Sequence, residues 1–252
     1  MNKMGRRTSR TETTDYRCTI HDSNKVQMEF IETQTEWAGK WDKPIMYYEV
    51  IGTCRTMSER QVRRALNYAM TTWDLEIPIV FKPVWWKGNR TQEPDITIDF
   101  KGRDEDEQFK KSPSVLAYAY FPAQGSVSGQ VVFNNDYIWD FVGLGIKASK
   151  ALSKGWITGT NNPDNTIRTY SVIAVLIHEL GHSLGLRHDV SGNNDGTDSM
   201  DAFYSGKSRL ELSVRDISRI VAKYGARVYS RVNHYARIKN ALRRGKLRLL
   251  IR

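Results

Sequence analysis

The sequence predicts an α+β domain in which a sheet precedes a buried helix that carries histidines. Three observations carry that prediction. Short runs rich in β-branched and aromatic residues recur between 43 and 135, an amphipathic helical pattern follows the first of them, and residues 169–186 form a strongly apolar helical pattern. With 252 residues, 40% hydrophobic and 11% aromatic, the chain is long enough to bury one sizeable core and too apolar to be disordered.

Taken in order, residues 1–36 lack sustained periodicity and read as an N-terminal arm or short pro-segment. "KPIMYYEVIG" (43–52) alternates and is aromatic, which predicts a first strand. In "SERQVRRALNYAMTTWDLE" (58–76), Val62, Leu66, Ala69, Met70 and Trp73 fall at helical spacing behind Ser58, a natural N-cap. Further strands are expected in "IVFKPVWW", "DITIDF", "VLAYAYFP" and "GQVVFNN", set apart by Gly, Pro, Asn and charged clusters. Residues 139–169, rich in Gly, Lys and Asn, read as an irregular insertion. "TYSVIAVLIHELGHSLGL" (169–186) predicts a buried helix ending at Gly185, and "LSVRDISRIVAKYG" (212–225) a closing helix capped by Ser213 and stopped by Gly225. The main domain then covers 37–225, and 226–252 form a tail.

Composition narrows the classes. No run reaches the roughly 18 apolar residues of a membrane-spanning helix, so no transmembrane segment is expected. The basic N-terminus has no apolar segment behind it, so no signal peptide is expected and the compartment stays open. Cys18 and Cys54 are too few for a disulfide framework, which leaves one bridge, two free thiols or one thiol with a task. The net charge of +10 sits at the ends, with nine Lys and Arg in 226–252, four in 1–10, and no acid in either. The body between them is mildly acidic.

The stretch "VLIHELGHSLGLRHD" (175–189) holds three of the chain's five histidines. On a helix, His178 and His182 project from one face and reach a single ion at about 2.0–2.1 Å. Glu179 lies beside the first of them, close to the ion without being forced onto it, and is placed to act as a base. Gly185 can adopt positive φ, ending the helix and turning the chain so that His188 returns as a third ligand. Three neutral nitrogens leave a fourth position for water, the open arrangement of catalytic zinc. A lone helical histidine is usually a core residue. The whole string H-E-x-x-H-x-x-G-x-x-H arises by chance about once in a hundred thousand at this chain's residue frequencies, so these residues are read as metal ligands.

That string, followed by a methionine turn at Met200 in "TDSMDAFYSG", resembles the metzincin zinc peptidases. Within that clan the chain is similar to the matrixins, the catalytic domains of matrix metalloproteinases. "KWDKPIMYYEV", "VLAYAYFP", "VVFNND", "HELGHSLGLRHD" and "LSVRDISRIVAKYG" carry the resemblance over about 40–225, with "VLAYAYFP" as the edge strand beside the substrate cleft. It implies an α/β/α metzincin-like fold, with a twisted, mostly parallel sheet, two long helices, a zinc cleft and a small C-terminal subdomain. It also implies a zinc-dependent endopeptidase acting on protein or peptide substrates outside the cell, with Glu179 as general base. Ala174, four before His178, matches the residue that controls pocket depth, and Tyr204 matches a pocket-wall tyrosine.

The sequence departs from the family pattern in ways that bear on cofactors. Arg103, Glu105, Tyr118 and Val132 fall where matrixins hold a structural zinc, and Lys110, Asn134 and Asn135 where loop carboxylates hold calcium. One catalytic zinc is therefore expected, with structural zinc and calcium absent or weak. Asp189, after the third histidine, looks more like the adamalysins. "RCTIHD" (17–22) repeats the Arg-Cys and the later Asp of the matrixin inhibitory switch, which makes Cys18 a candidate inhibitory zinc ligand in a zymogen. Thr19 and His21 replace that motif's glycine and proline, and an ordinary arm cysteine or a bridge to Cys54 are the alternatives.

In the tail, Val228, Val232, Tyr235, Ile238 and Leu242 fall at helical spacing among Arg and Lys. This fits an amphipathic helix on an anionic surface (nucleic acid, lipid or acidic polymer), or a docked helix with a solvated basic face. The alternative to an enzyme is a non-catalytic binding protein on a peptidase scaffold that acts through this tail. Retention of Glu179 favours the enzyme, since a scaffold has no chemical need for the base.

Overall fold

The structure, a computed structural model, describes residues 17–22, 38–86, 89–90, 92–189, 198–204 and 210–228, with the backbone alone for 17–22, 85–86 and 89. It opens with β1 (Arg17–Asp22), inside the segment read as an arm, and β2 (Ile45–Val50). Helix α1 (Glu59–Asp74) starts at Ser58, whose hydroxyl accepts from Gln61 N–H while the Gln61 side chain accepts from Ser58 N–H. Its apolar stripe, Val62, Leu66, Met70 and Trp73, is buried.

The run "IVFKPVWW" breaks at Val84 into β3 (Val80–Pro83) and β4 (Trp85–Trp86), and β4 pairs with β5 (Asn89–Arg90). Then come β6 (Ile96–Lys101), whose alternate residues are buried, short α2 (Glu107–Lys111), β7 (Val115–Tyr120) and β8 (Gln130–Asn134).

Residues 139–169, read from the sequence as an irregular insertion, hold only short elements. They contain β9 (Trp139–Asp140), β10 (Ile146–Lys147), α3 (Ala148–Ser153) and β11 (Thr166–Ile167), with β10 and β11 antiparallel. Elements of two to six residues are too short to show a period in sequence. After β12 (Tyr170–Ser171), which pairs with β9, come α4 (Val172–Ser183), β13 (Phe203–Tyr204) and α5 (Val214–Tyr224).

The main sheet has the order β13-β1-β7-β8-β6-β2-β3. Its pairs are parallel except those of β7 with β1 and with β8. This is the α+β architecture with a mostly parallel sheet that the sequence leads one to expect. Helices α1 and α4 pack on each other and, with the sheet, enclose the main core. On the other side of β7, Phe109, Val115, Tyr118 and Val132 form a second, smaller cluster.

Helix α4 is buried along its entire length, so its terminal polar groups need internal partners. Ser171 Oγ accepts from Ala174 N–H at the start. Near the end, Trp41 Nε1 donates to the Ser183 carbonyl (2.7 Å) and Tyr224 Oη to that of Leu184 (2.8 Å). At mid-length Trp73 Nε1 donates to the Ile177 carbonyl (3.0 Å), tying α1 to the histidine helix. Gly185 then has φ 91°, and a side chain there would strike the backbone oxygens of Ala38 and Gly39. Only glycine fits, which is why the helix stops here and the chain turns.

Candidate metal centre

His178 and His182 sit one turn apart on α4, and the turn at Gly185 brings His188 back beside them. These three form the group of potential metal-ligating residues among those described. His178 and His182 are fully buried, and His188 lies partly open.

The Nδ1 atoms of the two helical histidines face backbone carbonyls, His178 that of Ser199 and His182 that of Leu186, each at 2.7 Å. A carbonyl only accepts, so each Nδ1 carries the proton and each Nε2 is a bare lone pair. Those lone pairs point at one another: His182 Nε2 is 2.8 Å and His188 Nε2 3.3 Å from His178 Nε2. Two acceptors cannot share a hydrogen bond, and in a dry interior they repel unless a cation lies between them. Ligands at about 2.0–2.1 Å in a tetrahedron stand roughly 3.3 Å apart, so the donor set fits a zinc ion. Burial also favours the neutral ligand form. It lowers His178 to about 4, and it lowers His182 well below the usual imidazole range, with the neighbouring histidines adding to the effect.

Glu179 is fully buried, and among the described residues neither carboxylate oxygen has a hydrogen-bond partner. Desolvation raises its pKa well above the carboxylate range. Met200 is fully buried below the helix, its sulfur filling the space beside Gly181 between the two histidines.

The surrounding supports were not legible in the sequence. Ser199 N–H donates to the Asp216 carboxylate (3.1 Å), and Asp216 also receives the Ser213 hydroxyl (2.9 Å). Arg219 Nη2 donates to the Arg187 carbonyl (2.8 Å) in the loop leading to His188. Phe121 packs edge-on against His182, with ring centroids 5.6 Å apart. Asp189, buried, pairs with Arg215 (3.2 Å), and its N–H donates to the Met200 carbonyl (2.9 Å). A polar residue after the third histidine and the periodic face of α5 were the only sequence signals available for these contacts.

Ala174 and Tyr204 are both buried at the N-terminal end of α4, where the Ser171 N–H donates to the Tyr204 hydroxyl (3.0 Å). The insertion reaches this point. Ser171 Oγ donates to the Phe141 carbonyl (2.9 Å), and Asp140 accepts from the amides of Val142 and Gly143 and from the Thr169 hydroxyl.

The positions expected to depart from the family pattern have other partners. Arg103 pairs with Asp136 (2.6 Å), and the Tyr118 hydroxyl donates to Asp106 (2.6 Å). Asn134 and Asn135 side chains donate to the carbonyls of Val115 and Thr53, both at 3.0 Å. Lys110 reaches Glu107 (3.4 Å). The backbone of Cys18 pairs with Ala119 in β7, and Cys54 is a buried free thiol, so no bridge joins the two cysteines. Of the tail, Arg227 docks on α1, binding Asp74 and the Ile77 carbonyl, while 229–252 lie outside the described residues.

Comparison with known proteins agrees with this architecture. The Matrixin family model matches residues 40–225. Matrilysin from Felis catus is 32% identical over 197 residues, covering 76% of this chain and 62% of its own. Matrix metalloproteinase-16 from Mus musculus is 27% identical over 218 residues (83% and 32%), and matrix metalloproteinase-25 from Homo sapiens 30% over 168 (64% and 25%). The chain thus spans a third or less of the length of the two metalloproteinases and under two thirds of matrilysin. A family match over most of the chain, on a mostly parallel α+β sheet with three converging histidines, places this protein in the matrixin family of metallopeptidases.

Proposed function

We propose that the chain is a zinc-dependent endopeptidase that hydrolyses internal peptide bonds, with His178, His182 and His188 holding one catalytic ion and Glu179 as general base. The observation that carries this reading is Glu179, a fully buried carboxyl group without a hydrogen-bond partner among the described residues, next to the histidines. Such a group costs on the order of 1–3 kcal/mol or more in a fold that makes no use of it. When bound, zinc supplies a Lewis acid that polarises a carbonyl and lowers the pKa of water toward about 7. Glu179 accepts a proton from the attacking water and returns it to the leaving amine. Tyr204 and Ala174 line the pocket for a substrate side chain, and Met200 supports the ligands from below.

In this reading the arm also restrains the enzyme, with the Cys18 thiolate as the inhibitory ligand. The support is that the backbone of Cys18 pairs with Ala119 in β7, which leads into Phe121 beside His182. Replacing Cys18 by Ser should then raise peptide hydrolysis by the full chain, and equal activity would remove the thiol from the account.

The test of the main reading is cleavage of a diverse quenched-peptide pool by zinc-loaded protein beside Glu179→Ala, with bound zinc measured in both. Hydrolysis that disappears in the variant while zinc stays bound supports the enzyme. No hydrolysis by either, with the fold intact, favours a binding protein on a peptidase scaffold.

A further inference from the structure

Residues 138–169 close against the start of α1 around a cavity of about 220 Å³. No residue of α4, of the loop to His188 or of the Met200 turn lines it, so it is separate from the metal centre. Its walls are mostly apolar and aromatic. Met57, Ile138 and Trp139 are buried there, and Phe141, Ile146 and Trp156 are half-buried. The Trp139 ring is fixed by its Nε1–H on the Asn134 carbonyl (2.9 Å) and by edge-on packing against Phe133, with centroids 5.1 Å apart. The Trp156 backbone is tied down by Arg55, which donates to its carbonyl (3.3 Å) and to those of Asn135 (3.2 Å) and Asp136 (3.0 Å). Anchored aromatic side chains of this kind are preformed walls for a flat apolar body.

The polar groups of the lining differ in whether they are already engaged. The Asp140 carboxylate accepts from the Val142 and Gly143 amides and from the Thr169 hydroxyl. Thr56 Oγ1 accepts from the Trp139 amide and donates to the Trp139 carbonyl, both at 2.9 Å. Gln61 uses its side-chain oxygen on the Ser58 cap. Three donors are left over: among the described residues the Lys150 ammonium, the Gln61 NH₂ group and the Trp156 indole N–H have no hydrogen-bond partner. A further cation, Arg64, stands 5.8 Å from the centre of the Phe141 ring. Among the described residues neither it nor Lys150 has an acid partner. A lining whose acid is saturated by three donors, and whose unused groups only donate, suits an anionic acceptor. A cavity of about 150 Å³ already admits benzene, so this one has room for one ring with a short acidic side chain.

We propose that this cavity is a binding site for a single-ring aromatic carboxylate, with the ring among Trp139, Phe141 and Trp156 and the carboxylate on Lys150 and Gln61. Such a group is carried by a free aromatic acid or by the C-terminal aromatic residue of a peptide. The site stands apart from the peptidase reading, since neither the histidines nor Glu179 line it.

The test titrates phenylpropionate, its neutral amide, and Gly-Gly-Phe with a free or an amidated C-terminus into the zinc-loaded full chain. Binding is followed through the indole N–H signals of Trp139 and Trp156 by heteronuclear NMR. Lys150→Ala and Trp156→Ala are titrated alongside, with thermal unfolding as the check that each is folded; both side chains reach the surface. Phenylpropionate should shift the Trp156 signal saturably, with a Kd below about 1 mM. The amide should bind at least about fivefold more weakly, and Lys150→Ala should abolish that preference. Trp156→Ala, read at Trp139, should weaken acid and amide alike by at least about fivefold. A free-acid tripeptide that binds more tightly than phenylpropionate, with its amidated form losing the gain, supports a peptide C-terminus as the ligand; weaker binding of the tripeptide supports a free acid. Absence of a saturable shift, or equal binding of acid and amide, overturns the proposal. A Lys150→Ala variant that keeps the full preference for the acid also overturns it, and places the carboxylate on the metal instead.

Discussion

The Asp216 carboxylate accepts the amide of Ser199 at 3.1 Å, and the carbonyl of that same Ser199 faces His178 Nδ1 at 2.7 Å. A residue on the closing helix thereby sets the tautomer and tilt of a histidine on α4. Asp216 is itself fully buried, so its orientation has little freedom. Outer supports of this kind typically change metal affinity by about 10–100-fold. Asp216→Ala should weaken zinc binding by that order, measured by competition with a chromogenic chelator. Unchanged affinity with a preserved fold would show that the Met200 turn holds its place without Asp216.

Glu179 makes a prediction with two opposite signs. Glu179→Ala should lower peptide hydrolysis by at least about 10²-fold, as loss of a general base does. The metal-free variant should gain stability, by up to roughly 1–3 kcal/mol, because an unsatisfied buried carboxyl group disappears. Thermal unfolding of both metal-free proteins checks the second half. A less stable variant would mean that Glu179 has a structural partner that its environment does not reveal.

Gly143 has φ 73°, and a Cβ there would lie 2.5 Å from the Tyr204 hydroxyl and 3.0 Å from Ser171 N. Gly143→Ala therefore strains the turn and pushes on the tyrosine that caps α4, at a cost of about 1–3 kcal/mol. Because Tyr204 is proposed to line the substrate pocket, the preference among peptide side chains should shift along with the unfolding temperature. Lost stability with an unchanged cleavage profile would separate the insertion from specificity.

Lys223, half-buried on α5, is lowered to about 8 from 10.5, first by burial and then by the nearby Lys40 charge. The folded state releases this proton before the unfolded chain does. Its destabilising effect is complete below about pH 8 and fades as pH rises toward 10.5. Tyr224, pushed up to about 12 by burial, acts in the opposite sense above pH 10, where the unfolded chain loses its proton first. Lys223→Met should thus be more stable than the wild type near pH 7, and the gap should narrow by pH 10. Urea midpoints at the two pH values decide it, and a constant gap would contradict the assignment.

The sequence by itself determined those features that depend on neighbours along the chain. His178 and His182 share a face because they lie four apart on a helix, Gly185 ends that helix through its positive φ, and Ser58 and Ser213 cap α1 and α5 by bonding their own first turns. The family string and the strand-forming runs that become β2, β6, β7 and β8 were legible for the same reason.

Tertiary structure alone decided what depends on distant partners. The carbonyls that set the histidine tautomers, the Asp216 support, the folding of 139–169 against Tyr204, and the seating of β1 between β7 and β13 all join segments far apart in sequence. A hydrogen bond between remote residues leaves no periodicity in either segment, and strand order follows from which edges meet once the core has closed. The three histidines of the candidate site therefore lie in one stretch of fifteen residues, whereas the contacts that hold them required the fold.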